Sequence, residues 1–193
     1  MFYFITITLA SLIIVLTNFF LGGDHTLLAF GKLALLTVGG VASVIAVDGL
    51  LAFIARRLPE RWFAPEAKIF SVCKLEQRLY RRTKINVWKK YVPEWGCFTG
   101  FHKDRMRDPN SSEYVGRFLL ESNYGVLGHV AGAIFGFLIM LLPFLPAFTV
   151  ALPIAAVNLL LSLLPAMILR FNTPPLRRIY RRNVEREKSE AVK

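Results

Sequence analysis

The chain alternates between long apolar runs and segments rich in charged side chains. Four of the apolar runs are long enough to cross the hydrocarbon core of a bilayer as a helix. They cover residues 2–22, 26–55, 124–142 and 144–169. Together they predict an all-α integral membrane protein with about four transmembrane helices, forming a single membrane domain over residues 1–193. A hydrophobic content of 54% favours a bilayer over a soluble core as the environment.

Short turns join the runs in pairs. Gly22, Gly23 and Asp24 predict a tight turn between the first two runs. Pro143 and Pro146 leave only a short corner between the last two, which predicts an antiparallel hairpin.

The segment 56–120 between the second and third runs has a different composition. From Arg56 to Arg117 it holds 15 Lys or Arg against 7 Asp or Glu, with aromatic side chains interleaved. This pattern is typical of an amphipathic segment at the membrane interface. We expect four of its aromatic side chains at the level of the lipid headgroups. These are Trp62, Phe63, Trp88 and Tyr91.

The basic residues indicate the partner and the orientation. The net charge of +11 arises next to the apolar runs, which favours anionic membrane lipids over nucleic acid as the partner. The connections near residues 22–25 and 143–146 contain no Lys or Arg, whereas segment 56–120 and the tail 170–193 are basic. We therefore expect a multi-pass protein of the cell membrane with both termini cytoplasmic.

Two ionisable residues inside the apolar runs are candidates for chemistry. Asp48 is costly in a membrane, so it is either functional or the buried partner of a basic residue such as Arg170. His129 lies near the cytoplasmic end of the third run and could take a proton from a hydroxyl. A histidine hydrogen-bonded to a neighbouring helix would fit the pattern of His129 equally well.

Glu121 precedes His129 by eight residues. On a continuous helix this spacing gives about 12 Å of rise and about 80° of rotation. The two side chains would then not touch, so a water, a substrate or a helix break must lie between them if they cooperate.

Gly128, Gly132 and Gly136 recur at four-residue spacing on the third run, which predicts close approach of another helix.

No metal site is predicted, because Cys73, Cys97, His102 and His129 lack zinc-ligand spacing. The chain also has no nucleotide-binding or serine-hydrolase motif, so no cofactor is expected.

Positions between residues 58 and 183 share an order and spacing with a known family. They are Leu58, Pro59, Trp62, Phe63, Phe70, Trp88, Lys89, Glu121, Ser122, His129, Pro165, Arg170, Phe171, Asn172, Pro174 and Leu176. In this order they resemble the glycosyl-4,4'-diaponeurosporenoate acyltransferases, small membrane enzymes of carotenoid-glycoside biosynthesis. The chain departs from the family pattern at Leu163, where an Asn is expected, and at Val126, where a second acidic residue is expected. These departures bear on the substrate more than on acyl transfer.

The resemblance implies transfer of a fatty acyl group from a thioester donor, acyl-CoA or acyl carrier protein, to a hydroxyl of a glycosylated lipid. It makes His129 the general base and Glu121 its catalytic partner, while Arg170 and Asn172 hold an oxyanion or a donor phosphate. The wider set of substrate-binding residues is Arg170, Asn172, Ser122, Trp88, Lys89 and Asp48.

A second interpretation stays open, because the residues alone contain no self-sufficient catalytic motif. The chain would then be a non-catalytic membrane protein that binds lipid or scaffolds a partner through its basic amphipathic segment. Neither interpretation specifies the acceptor, the donor chain length or the oligomeric state.

Overall fold

The computed structural model describes residues 2–92 and 106–192, which fold into helices without a strand in either range. We number the α-helices in chain order. They are α1 (Phe2–Leu21), α2 (Leu27–Arg57), α3 (Lys74–Arg82), α4 (Ile85–Trp88), α5 (Ser112–Phe135) and α6 (Leu152–Ala191). Short 3₁₀ turns lie at Glu60–Trp62, Lys68–Phe70, Lys89–Tyr91 and Gly136–Leu141, and a π-helical turn lies at Ala147–Ala151.

The prediction of an all-helical membrane protein is confirmed. Within the described ranges four helices are long and apolar enough to cross a membrane. They are Tyr3–Leu21, Leu27–Arg57, Ser112–Leu141 and Ala147–Ala191. The last two exceed the predicted spans, because α5 begins at Ser112 and α6 continues through the basic tail to Ala191.

The ends of the helices follow from local chemistry. The predicted tight turn closes α1 through a hydrogen bond from Gly22 N to Asn18 O (2.9 Å). The Asp24 carboxylate then accepts from Thr26 N (3.0 Å), and the Thr26 hydroxyl accepts from Ala29 N (3.2 Å) at the start of α2. The predicted corner before α6 contains a turn in which Leu145 N donates to Leu142 O (3.1 Å).

The chain divides into two compact units. We call Met1–Phe53 with Gly128–Leu163 the apolar unit, and Ile54–Leu127 with Leu164–Lys193 the basic unit. Helices α2, α5 and α6 each contribute residues to both units.

The apolar unit packs α1, α2 and the start of α6 around small and branched side chains. Its buried cluster includes Ile14, Val44, Ile139, Leu145, Val150 and Ile154. Asn18 at the end of α1 donates from Nδ2 to Thr149 O (2.8 Å), which attaches α1 to the π-helical turn.

The basic unit has aromatic clusters at its centre. Phe63 stacks on Tyr124 with ring centroids 4.0 Å apart, and Phe70 packs against Phe63 with ring centroids 5.6 Å apart. Only 2% of Phe63 is exposed, so its ring packs inside the basic unit, and its depth relative to the lipid headgroups stays a prediction. Trp62 and Tyr91 are exposed, as that prediction requires.

Candidate functional site

His129 shares one face of α5 with Gly132, and this face continues to Gly136 at the start of the following 3₁₀ turn. Gly132 follows His129 by three residues, which is a rotation of about 60°, and Gly136 follows by seven, about 20° away. The His129 side chain is half-buried, and its imidazole has no hydrogen-bond or ion-pair partner among residues 2–92 and 106–192. A neutral imidazole with a free nitrogen can accept a proton, so this face could perform base chemistry.

Two polar side chains pack on this face of α5. A Cβ placed on Gly132 would lie 2.6 Å from Oδ1 of Asp48 on α2, and one on Gly136 would lie 2.5 Å from Nδ2 of Asn158 on α6. The same Asn158 amide donates to Gly132 O (3.1 Å) and lies beside the Asp48 carboxylate. The two glycines therefore make room for a polar pair inside the apolar unit, and we call Asp48, His129 and Asn158 the polar centre.

The predicted close-packing stripe is correct at Gly132 and Gly136 but wrong at Gly128. Nothing lies within 4 Å of a Cβ placed on Gly128. Gly128 lies only about 40° from Gly132 around the helix, so it differs from Gly132 in its position along α5, one turn earlier, rather than in the face that it occupies. The stripe was predicted to admit the backbone of another helix, whereas the atoms nearest to Gly132 and Gly136 belong to the side chains of Asp48 and Asn158.

A cleft in the apolar unit reaches Asn158. It is lined by α1, α2 and α6, and its lining is apolar except for Tyr3, Ser11 and Asn158. Sequence reasoning missed Asn158. The signal that could have found it is a single amide in the middle of an apolar run, which is costly there unless it is hydrogen-bonded.

Glu121 lies in the basic unit between two guanidinium groups. Arg56 Nη2 donates to Glu121 Oε2 (2.8 Å), and Arg117 Nη2 contacts Oε1 (3.1 Å). The Glu121 side chain is 14% exposed. Arg56 also lies over the Tyr124 ring at 5.7 Å, so both oxygens of Glu121 belong to a local network of charges and rings.

Ser122, predicted to contact substrate, is buried in the basic unit. Its neighbour Asn123 is fully buried and donates from Nδ2 to Phe63 O (2.9 Å). Asn123 therefore holds the turn after α2 in place. Ser122 and Asn123 occupy interior positions, where they support the shape of the unit.

Arg170 forms a two-pronged ion pair with Glu76 of α3. Its Nε and Nη2 donate to the two carboxylate oxygens at 2.5 and 2.8 Å, and Nη2 also donates to Ser71 O (3.1 Å). Tyr80 donates a further short hydrogen bond to the same carboxylate. Burial alone would raise the pKa of Glu76, but the hydrogen bonds from Arg170 and Tyr80 hold it below its usual value. Burial and the neighbouring Glu76 carboxylate raise the pKa of Tyr80.

Two more arginines lie on the same face of α6 as Arg170, and sequence reasoning did not single them out. Arg177 donates to Ser71 Oγ (3.1 Å) and to Ala67 O (2.7 Å), while Arg181 pairs with Glu66 at 2.9 and 2.6 Å. With Arg170 they follow a spacing of seven and four residues, which puts all three on one face of a helix. This spacing was visible in the sequence, but the tail was not expected to be helical.

The other predicted binding residues lie around α4 and the middle of α6. Trp88 donates from Nε1 to Thr83 O (2.9 Å), and Lys89 Nζ lies 5.7 Å from the centre of the Phe171 ring. Asn172 is half-buried. Cys97 and His102 fall outside the described residues.

One comparison with known proteins gives a match. The family model described as glycosyl-4,4'-diaponeurosporenoate acyltransferase matches residues 59–182. The match covers more than half of the chain and includes Glu121, His129 and Arg170, but not Asp48. No curated protein and no solved structure matches the chain.

Proposed function

Because the chain belongs to the glycosyl-4,4'-diaponeurosporenoate acyltransferase family, we propose that it is a membrane acyltransferase. It moves a fatty acyl group from a thioester donor to a hydroxyl of a glycosylated lipid, such as a carotenoid glycoside. The observation that carries the mechanism is the His129 imidazole, which lies without a polar partner among the described residues on a helix of an apolar unit. An ionisable group in such a place is expensive and is usually retained for function.

His129 acts as the general base in this proposal. Its free ring nitrogen takes the proton of the acceptor hydroxyl while the hydroxyl oxygen attacks the thioester carbonyl carbon. The new C–O bond forms, the C–S bond breaks, and the departing thiolate receives the proton from the imidazolium. The acyl group thus ends on the acceptor oxygen and the proton on the departing sulfur, the imidazole is neutral again, and no cofactor is needed.

The basic unit attracts the donor. Acyl-CoA and acyl carrier protein are both anionic, and a surface with excess Lys and Arg raises their local concentration. Lys89 and Asn172 are our candidates for direct donor contacts, and the neighbouring Trp88 packs against a buried cluster of the basic unit. Arg170 and Glu121 act as positioning residues, since their charged atoms already face Glu76 and the arginines Arg56 and Arg117.

The orientation of the protein in the membrane also follows from its basic residues. We propose that both termini and the basic unit face the cytoplasm of a cell membrane, where a water-soluble donor meets a membrane-bound acceptor. Labelling of an engineered cysteine at Gly23 from outside the cell, without labelling of Cys73, would support this topology. The reverse pattern would refute it.

A non-catalytic lipid-binding role is the second candidate. The exposed surface of α3 favours it. Leu75 and Leu79 are exposed on one face of α3, next to Arg78 and Arg82 on the same face. Such a face fits an anionic lipid surface. It fits an enzyme at the membrane surface equally well, so activity has to decide between the two candidates.

The deciding experiment removes the imidazole. We expect His129→Ala to lower the turnover of palmitoyl-CoA with a glycolipid extract by roughly 10²- to 10⁴-fold, the usual contribution of a positioned base. His25→Ala is the matched control, because His25 is exposed in the turn between α1 and α2. A well-folded His129→Ala protein with parental turnover would end the proposal and leave the lipid-binding candidate.

A further inference from the structure

We infer that Asp48, rather than Glu121, is the carboxylate that positions the His129 imidazole, with Asn158 holding the opposite side of the carboxylate. This inference rests on the proposed function and extends it to the apolar unit. Asp48 lies outside the residues that the family model matches, so the family does not supply this role.

The first argument is position. Asp48 Oδ1 would be 2.6 Å from a Cβ at Gly132, and His129 lies one turn before Gly132 on the same helix. Residues three apart on a helix have Cβ positions only about 5–6 Å from each other. The carboxylate of Asp48 therefore lies within reach of the imidazole, either directly or through one bridging water.

The second argument is unmet hydrogen-bonding capacity. Asp48 Oδ1 is fully buried and has no hydrogen-bond donor in residues 2–92 and 106–192. A buried carboxylate oxygen without a donor is costly. The His129 imidazole is the complementary case, a polar ring of the same unit with no hydrogen-bond or ion-pair partner in the same ranges. A hydrogen bond between the two would satisfy both groups at once.

The third argument is the scarcity of competing charges. The apolar unit contains three charged side chains, namely Asp24, Lys32 and Asp48. Asp24 lies in the turn before α2, and Lys32 is sixteen residues from Asp48, about 24 Å along the helix. The segments of α1 and α6 in this unit carry no charged side chain. Lys32, the one cation of the unit, is therefore too far away to pair with Asp48, and the remaining titratable side chains of the unit are Tyr3, His25 and His129.

Glu121 is less suited to the same task. Both of its oxygens already contact guanidinium groups, those of Arg56 and Arg117. On the continuous helix α5 it is also separated from His129 by about 12 Å of rise and about 80° of rotation.

The chemical role of Asp48 is orientation. A carboxylate that accepts from one ring N–H fixes the tautomer, so that the other nitrogen presents its lone pair to the acceptor hydroxyl. Asp48 would also stabilise the imidazolium that forms when His129 takes the proton. No bond to Asp48 forms or breaks, so it is a positioning residue.

The first test needs no enzymatic activity. Nitrogen-15 NMR of histidine-labelled protein in detergent reports which ring nitrogen of His129 carries the proton, and the His129→Ala spectrum identifies the signal. We expect one dominant tautomer in the parent and a mixture in Asp48→Asn, which keeps the size of the side chain. Thr37→Val is the matched control, because it removes another buried, unpartnered oxygen from α2. An unchanged His129 signal in Asp48→Asn would overturn the inference.

The second test is a double-mutant cycle in the palmitoyl-CoA assay. We expect Asp48→Asn to lower kcat by on the order of 10²-fold or more with KM little changed. The double variant Asp48→Asn with His129→Ala should be no slower than His129→Ala alone, because Asp48 acts through the imidazole. Independent, multiplying losses would overturn the inference while leaving the proposed function intact. Parental turnover in His129→Ala would instead overturn the proposed function.

Discussion

In the basic unit the part-buried carboxylates of Glu76 and Glu121 each face at least one guanidinium, whereas in the apolar unit the carboxylate of Asp48 faces a glycine and an amide. The difference cannot come from burial alone, because all three side chains are partly covered. It lies in the partners that the sequence provides. The basic unit has many arginines, while the apolar unit has one lysine, far along α2.

This contrast separates two uses of charge. Paired charges on α3 and α6 connect the segments of the basic unit, so their loss should appear mainly as lost stability. Unpaired polar groups in an apolar unit contribute little to stability and are retained for another reason, which we infer is catalysis. The predictions below test this separation, from the largest expected effect on stability to the smallest.

Removal of the Arg170 guanidinium should cause the largest loss of stability. Arg170→Met keeps the apolar stem but leaves the Glu76 carboxylate without its cation. The two side chains are 22% and 20% exposed, so the cost lies between that of an exposed and of a fully buried pair, about 2–3 kcal/mol. Thermal unfolding in detergent measures it, with Arg178→Met, an exposed site on the same helix, as the control. Equal melting temperatures for the two variants would show that the pair does not hold the unit together.

The same pair predicts a dependence on pH. Because the pKa of Glu76 is lowered in the folded state, its contribution to stability is present above the unfolded value of about 4.3 and is lost as the pH falls through the folded value. Glu76→Gln should flatten the part of the profile that lies below about pH 4.3. A parental slope in that variant would assign the acid sensitivity to other carboxylates.

Much of this fold could be predicted from the sequence, since long uncharged runs have few alternatives to membrane helices. The ion-pair partners of individual charged residues could not be predicted from the sequence. Arg170 was an equal candidate for Asp48 or for substrate, and only the folded position of α3 shows that it pairs with Glu76. Phe63 has a sequence context typical of the interface, yet tertiary stacking on Tyr124 buries it. The role of His129 as the general base stays a prediction.

Filling the space beside Asp48 should have the next largest effect. Gly132→Ala introduces a Cβ 2.6 Å from Asp48 Oδ1, an overpacking that costs about 2 kcal/mol, partly offset by the helix propensity of Ala of about 1 kcal/mol. Gly128→Ala is the matched control, because nothing lies within 4 Å of its Cβ. We expect a lower melting temperature for Gly132→Ala and an equal or higher one for Gly128→Ala. If both variants melted alike, the packed face of α5 would be wrongly assigned.

The smallest effect should come from the pair between Glu66 and Arg181. Their hydrogen bonds are as short as those of Arg170, at 2.9 and 2.6 Å, but the side chains are 62% and 45% exposed for Arg181 and Glu66 respectively. Water screens such a pair and competes for both groups, so Glu66→Gln should cost less than about 1 kcal/mol. Its effect should also shrink further in 1 M salt, where the screening length is only about 3 Å. Thermal unfolding of Glu66→Gln beside Arg170→Met, at low and high salt, separates the two cases. A loss for Glu66→Gln as large as that for Arg170→Met would mean that the exposure of these ion pairs does not determine how much each one stabilises the protein. The basic unit would then depend on its whole row of arginines rather than on the one covered pair.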